Sequence, residues 1–533
     1  MFAVSSPRLA RATSVEEFPD NGSEQEGRGG AWVARASDPL AAFYNPAGLA
    51  GQPTRLTLQA NISTQHTCFT RVKADNDTTS DGVTPGSTYP KVCNAGSFFP
   101  NPQLAFTYHL TDRIGLGIAV LGPSAVGSVS WPEFQGTTPS PQRYLLISTN
   151  SVLLLPTVGV GWEALDRLRL GASFIFGTAP SLDFVNAAPA TDSAGEVPTT
   201  SDIRNELKAK APFFPGFTLG AIWSPVDDLD VAGWFKWVDN VNAKGDVRTE
   251  ANAFTATAAN GNTAGVVYGD TSQPYCYTLP ASGPPAGAQP LCGKGNNASI
   301  TVPIPMEAKL GVRYHKPRPD VPYDEHRRDP MAQDVFDVEA DFTWANNSSF
   351  DSLQIRFPAD PTSGLGLLPA NPGIPGASLP PNADVRHAFR DVFGVRVGGD
   401  YNVLPDQLAL RAGGFFETQA ANSVYQNIDF DGAMRFGVAV GGTYRIHFGP
   451  PDKGRAVELM AGYGHVFFGT LSNNNPANQG LSGLTGESCA TGVPTANGAC
   501  PDGTQRYRTP WAVNLGTITS SINVINVGAA YKF

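Results

Sequence analysis

The stretch FDVEADFTW, residues 336–344, sets Phe336, Val338, Ala340, Phe342 and Trp344 on one face of an extended chain and Asp337, Glu339, Asp341 and Thr343 on the other. Successive side chains in a strand point to opposite sides, so three carboxylates share a face. LRLGASFIF, residues 168–176, repeats the pattern, with Leu168, Leu170, Ala172, Phe174 and Phe176 against Arg169, Gly171, Ser173 and Ile175. Two folds produce such alternation. A soluble sandwich buries the apolar face, and a membrane barrel turns it to lipid.

Alternating segments recur near 54–64, 102–110, 113–121, 143–162, 167–178, 213–224, 228–238, 300–315, 334–345, 388–402, 407–417, 433–447, 454–468 and 519–533, fourteen in all. Most have about the 10 residues that a tilted membrane strand needs. The connections separate the two folds. Thr111–Arg113, Ala164–Asp166 and Pro225–Asp228 are tight turns, whereas 65–101, 122–142, 179–212, 239–299, 346–387 and 469–518 are long. Short and long connections alternate, as the periplasmic turns and outer loops of an outer-membrane barrel do. HKPRPDVPYDEHRRDP, residues 315–330, is a long connection on the short side, and the sequence gives no account of its length.

Composition fits this reading. In 533 residues there are 57 Gly, 45 Pro and 30 Phe, only 16% of residues are charged, and the net charge of -10 speaks against nucleic acid. The longest apolar run, Leu145–Trp162, is broken by Ser148–Ser151 and Pro156, so no segment qualifies as a transmembrane helix. Only a closed barrel could then span a bilayer. MFAVSSPRLARATSVEEF at the start lacks the apolar core of a secretory signal, and a truncated or misassigned start is expected over residues 1–26.

The cysteines follow the same map. Cys68 and Cys93, Cys276 and Cys292, and Cys489 and Cys500 fall two by two in three long connections, which predicts three local disulfides on the oxidising outer side. The chain ends in GAAYKF, where Tyr531 and Phe533 share a face and offer an aromatic signal to the barrel assembly machinery. G-x-S-x-G, H-E-x-x-H and P-loop motifs are lacking, and neither catalysis, a cofactor nor a metal is expected.

Before the first strand, SDPLAAFYNPAGLAG holds two helix starts of one design, Asp38-Pro39 and Asn45-Pro46, each a capping side chain followed by proline. Such turns suit many domains. GRGGAWVARASDPLAAFYNPAGLA, residues 27–50, with its Asn45-Pro46-Ala47-Gly48 core, nevertheless resembles the segment that plugs the barrel in the FadL family of fatty-acid and toluene or xylene transporters. RLRLGASFIFG, PGFTLGAIWSPVDDLDVAGWFKW, VPIPMEAKLGVRY and DQLALRAGGFFETQA resemble its strand pairs.

The resemblance implies a 14-stranded barrel over residues 53–533, a hatch over residues 27–52, and passive, ligand-gated transport of hydrophobic molecules across a Gram-negative outer membrane. Long-chain fatty acids are the expected solutes, with aromatic hydrocarbons or a general porin for polar solutes as alternatives. Lipopolysaccharide and membrane lipid are the expected surroundings, and a monomer is the expected state. Lateral exit through a kinked third strand points to Gly122 and Pro123, whose alternative is simply the strand's outer end. Lys309, Arg313, Arg396 and Arg411 face the lumen and are candidate partners for a carboxylate headgroup. Asp337, Glu339, Asp341 and Asp400 face it too, which makes a structural ion-pair network the stronger reading.

Overall fold

The computed structural model describes residues 20–96, 98–123, 128–189, 198–250, 253–254, 267–268, 297–321, 326, 328–356, 382–448, 454–474 and 511–533. Fourteen antiparallel strands form one wall. The first seven are β1 Arg55–Arg71, β2 Phe98–Thr111, β3 Ile114–Val120, β4 Thr157–Leu165, β5 Leu168–Ala188, β6 Ile203–Val226 and β7 Leu229–Val238. The others are β8 Glu307–Pro317, β9 Asp334–Ala345, β10 Val392–Leu404, β11 Leu408–Glu417, β12 Arg435–His447, β13 Ala456–Phe468 and β14 Gly516–Lys532. β1 pairs with β14 along its whole length, from Arg55 opposite Lys532 to Arg71 opposite Gly516. That pairing closes the barrel, so the sheet has no free edge in hydrocarbon. Among the described residues no helix is long and apolar enough to cross a membrane.

Alternation decides which side each residue faces. Val338 and Phe342 are exposed on the outside, while Asp337, Glu339 and Asp341 are buried in the lumen. Two aromatic belts ring the outside. Tyr108, Trp162, Trp223, Tyr314, Tyr401, Tyr444 and Phe533 lie at the end with the tight turns, and Phe176, Phe213, Phe393, Phe416, Phe436 and Phe467 lie toward the long loops. Such rings sit at the two bilayer interfaces. Tyr531 stacks edge-on against Phe533 at 4.6 Å on the turn side.

The strands run further outward than their alternation predicts. Much of the expected connection 179–212 is ladder, since β5 continues to Ala188 and β6 begins at Ile203. Pieces Ser148–Leu154, Val241–Glu250, Asn297–Val302, Ser352–Arg356 and Asn382–Arg386 extend β4, β7, β8, β9 and β10 in the same way. Beyond the membrane the outer face is no longer apolar, so the contrast that marks a strand fades. Pro156 separates the two pieces of β4, where sequence suggested one strand. Cys68 belongs to β1 rather than to a connection. It lies opposite Cys93 and is bonded to it, as expected from their placement. Cys276, Cys292, Cys489 and Cys500 lie outside the described residues.

Candidate functional site

Residues 20–52 are buried inside the barrel, and the lumen segment therefore begins earlier than the expected Gly27. It contains two short helices, α1 Ser23–Gly27 and α2 Ala41–Tyr44, and a 3₁₀ turn at Pro46–Leu49. Asn45 caps that turn by accepting from the Ala47 amide at 3.2 Å, with Pro46 in the first position. Its amide also donates to the Val33 carbonyl at 2.7 Å. Asn45 thus ties two parts of the segment together.

The three carboxylates of β9 receive this segment. Asp341 accepts from the Trp32 and Val33 amides, at 2.9 and 3.2 Å, and Glu339 from Ala34 and Arg35, at 2.6 and 3.1 Å. Arg28, fully buried, reaches Asp337 at 2.5 Å, Asp400 at 2.7 Å and Glu339 at 3.3 Å. Arg35 pairs with Asp337 and Asp400. Buried charges of this kind hold position through geometry, and removing one partner strands the rest.

The wall approaches the segment where it carries glycine. A Cβ at Gly161 would stand 2.5 Å from the Pro46 carbonyl oxygen, and Cβ atoms at Gly171 and Gly220 would run into Ala47 and Asn45. Across the lumen, Gly398 and Gly413 are pressed against the Arg28 carbonyl in the same way. Shape and charge select one seat for the segment.

The long connection between β8 and β9 crosses beneath it. His326 meets Glu163 of β4 at 2.9 Å, and the Arg328 guanidinium donates to the Ala34 carbonyl at 2.7 Å and to that of Arg35. Its backbone amide donates to Gly51 at 2.9 Å. Asp329 receives Lys532 of β14 at 2.6 Å and Arg445 of β12 at 2.9 Å, before the short helix α3, Pro330–Gln333. Burial opposes the Asp329 charge, but Arg445 and Lys532 prevail and hold its carboxyl well below the usual range. The length of this connection thus has a reason. Of its described residues, 326 and 328–333 form a strap across the periplasmic mouth.

Above the lumen segment lies a cavity of about 120 Å³, between an apolar cluster built on that segment and a second one under the outer loops. Leu153, Leu182, Ile300, Ile304, Phe350 and Phe430 form much of its wall. Among the described residues its charged lining is Asp183 and Asp429. Asp429 is taken by His387, whose Nε2 lies 2.9 and 3.0 Å from the two carboxylate oxygens. The four cations singled out in the sequence lie elsewhere. Lys309 and Arg396 meet on Asp20 of the lumen segment, Arg313 on Asp230, Asp334 and Asp337, and Arg411 on Asp400.

Beside this cavity the β2–β3 pairing stops among the described residues. The β2–β3 ladder ends at Leu104 opposite Val120, and the pairing of β2 outward of it is with β1. Further out, an isolated bridge joins Ala95 to Ser130. Between these two points the Gly122 carbonyl accepts from Asn21 of the lumen segment at 2.6 Å and from Asn101 at 2.9 Å, and Pro123 offers no N–H. On the facing strand Pro100 and Pro102 lack donors too, a signal present in the sequence itself. A Cβ on Gly122 would lie 2.6 Å from the carbonyl of Leu153, a residue that lines the cavity.

A closed wall, apolar outside and polar within, crossed by a buried N-terminal segment, defines an outer-membrane barrel with a filled lumen. The chain belongs to the family of outer membrane protein transport proteins (OMPP1/FadL/TodX), whose model matches residues 2–498. The structure resembles a Pseudomonas aeruginosa FadL homologue, with 17% identity, 98% of this chain and 100% of that one covered, and a TM-score of 0.62. It also resembles the P. putida toluene transporter TodX, at 14%, 97%, 98% and 0.53 in the same order. The Ralstonia pickettii toluene transporter TbuX gives 12%, 97%, 99% and 0.52. At such identities the likeness is one of fold. No curated protein matches. The chain is accordingly a Gram-negative outer-membrane transporter of the type that carries hydrophobic substrates.

Proposed function

We propose that hydrophobic molecules without a negative headgroup, aromatic hydrocarbons among them, enter the cavity above the lumen segment, which acts as a hatch, and leave sideways between β2 and β3. The observation that carries this reading is the cavity lining, which among the described residues is apolar apart from a few polar groups and charged only through Asp183 and Asp429. Each methylene buried there contributes roughly 0.8 kcal/mol, whatever the solute. A fatty acid, the solute expected from the family, would bring its carboxylate toward two others, with His387 already committed to Asp429. Aromatic hydrocarbon carries no such cost.

Binding to purified protein tests the preference. Toluene should bind more tightly than palmitate, and Asp429→Asn, which frees His387, should improve palmitate by about tenfold, equivalent to 1.4 kcal/mol, while leaving toluene unchanged. Tight palmitate binding by the unaltered protein with no response to Asp429→Asn defeats the substrate preference. The exit is tested separately. Gln103 and Leu121 would form the next β2–β3 pair, and both are buried. A Gln103→Cys/Leu121→Cys pair should block most uptake when oxidised and restore it when reduced. Uptake indifferent to oxidation rules out the lateral route.

A further inference from the structure

On the outside of the barrel, outward of the exposed ring of Phe213, one line of directly paired residues crosses four strands. Lys210 of β6 lies opposite Lys244 on the β7 extension. Lys244 lies opposite Ser299 on the β8 extension, and Ser299 opposite Arg356 on the β9 extension. Their neighbours along each strand, Ala209, Ala243, Ile300 and Ile355, are buried in the interior, so alternation turns all four outward. Lys210 stands three residues beyond the exposed ring of Phe213. At about 3.3 Å per residue and a tilt near 45°, that is roughly 7 Å above the belt.

Two lysines directly opposite each other on one face of a ladder repel. Lys208, two residues away, has Glu206 at 2.6 Å and faces Asp246 across the ladder. Neither Lys210 nor Lys244 forms an ion pair or hydrogen bond among the described residues. Their repulsion calls for an anion from outside the chain. At this height, on the lipid side of an outer-membrane barrel, the anions present are headgroup phosphates of the outer leaflet. Neighbouring strands are about 4.8 Å apart, so the line from Lys210 to Arg356 spans roughly 14 Å, enough for more than one phosphate. Lysine serves as a point charge and arginine as a fork for phosphate oxygens, and basic residues flanking an apolar belt are drawn to anionic lipid.

We infer that Lys210, Lys244 and Arg356 form a binding site for the phosphorylated headgroup of lipopolysaccharide, which fixes this side of the wall at the outer leaflet. The site lies outside the barrel and does not depend on what the cavity carries. It is tested by the unfolding temperature of purified, folded protein in detergent, read as loss of the compact band on heating. Lipopolysaccharide should raise it, whereas enzymatically dephosphorylated lipopolysaccharide and inorganic phosphate should not. Lys210→Ala/Lys244→Ala/Arg356→Ala should lose most of the rise. Lys244→Ala alone, which removes the like-charge pair, should raise the unfolding temperature without lipid and reduce the rise on adding it. A rise of equal size with the dephosphorylated lipid, a rise with inorganic phosphate alone, or an undiminished rise in the triple variant would overturn the assignment. Should the triple variant fail to assemble, an undiminished rise in Lys244→Ala does the same.

Discussion

Arg28→Met turns the barrel from a closed channel into one that conducts ions, without breaking its wall. Arg28 is fully buried and joins Asp337, Glu339 and Asp400, carboxylates on β9 and β10, from inside the lumen segment. Removing one member of such a buried cluster costs about 3–5 kcal/mol, because the remaining charges keep their desolvation penalty and lose their partner. Arg35, Arg313 and Arg411 stay near the same carboxylates, so the wall is not left with wholly uncompensated charge. The wall's ladder does not run through Arg28, and the loss falls on the fit between segment and barrel. In planar bilayers the unaltered protein should show little steady current, and Arg28→Met a large one. Equal currents from the two, with the variant's compact band intact, would show that the segment's seat does not depend on this cation.

Much of this arrangement is legible in the sequence, and the reason is periodicity. Alternation in residues 336–344 places Asp337, Glu339 and Asp341 in the lumen, and short turns locate the periplasmic end. What they bind is not legible in that way. Arg28 meets Asp337 across 309 residues, and Lys309 meets Asp20 across 289. No local pattern encodes such pairings. Hence Lys309, Arg313, Arg396 and Arg411 face inward as alternation predicts, and none of them is among the described residues that line the cavity. The outer extensions of β5 to β10 leave no membrane-type alternation to read, because residues such as Lys208 and Lys210 replace the apolar outer face there. The end of the β2–β3 ladder leaves a clearer trace in Pro100 and Pro102, two missing donors on the strand that faces Gly122 and Pro123.

The strap makes a different prediction, which separates the closing of the mouth from the closing of the lumen. Asp329→Asn removes the charge that receives Lys532 and Arg445, partners 203 and 116 residues away. Arg445 keeps Glu458 at 2.7 Å, so the greater loss falls on Lys532 and on the strap itself, again about 3–5 kcal/mol for a broken buried pair. A cysteine at Met331, buried in the intact protein, should react slowly with a periplasmic thiol reagent and much faster after Asp329→Asn. Bilayer current should stay low, because Arg28 and Arg35 still hold the lumen segment from the β9 side. Acid tests how far the Asp329 charge holds the strap. A carboxyl whose value is depressed in the folded state contributes stability above its unfolded value and loses it as pH falls through the folded one. Since Arg445 and Lys532 hold Asp329 well below the ordinary carboxylate range, the cysteine should stay protected at pH 5 in the otherwise unaltered protein. Exposure already at pH 5, or a current rising together with exposure in Asp329→Asn, would mean that strap and segment open as one body and that the mouth has no closure of its own.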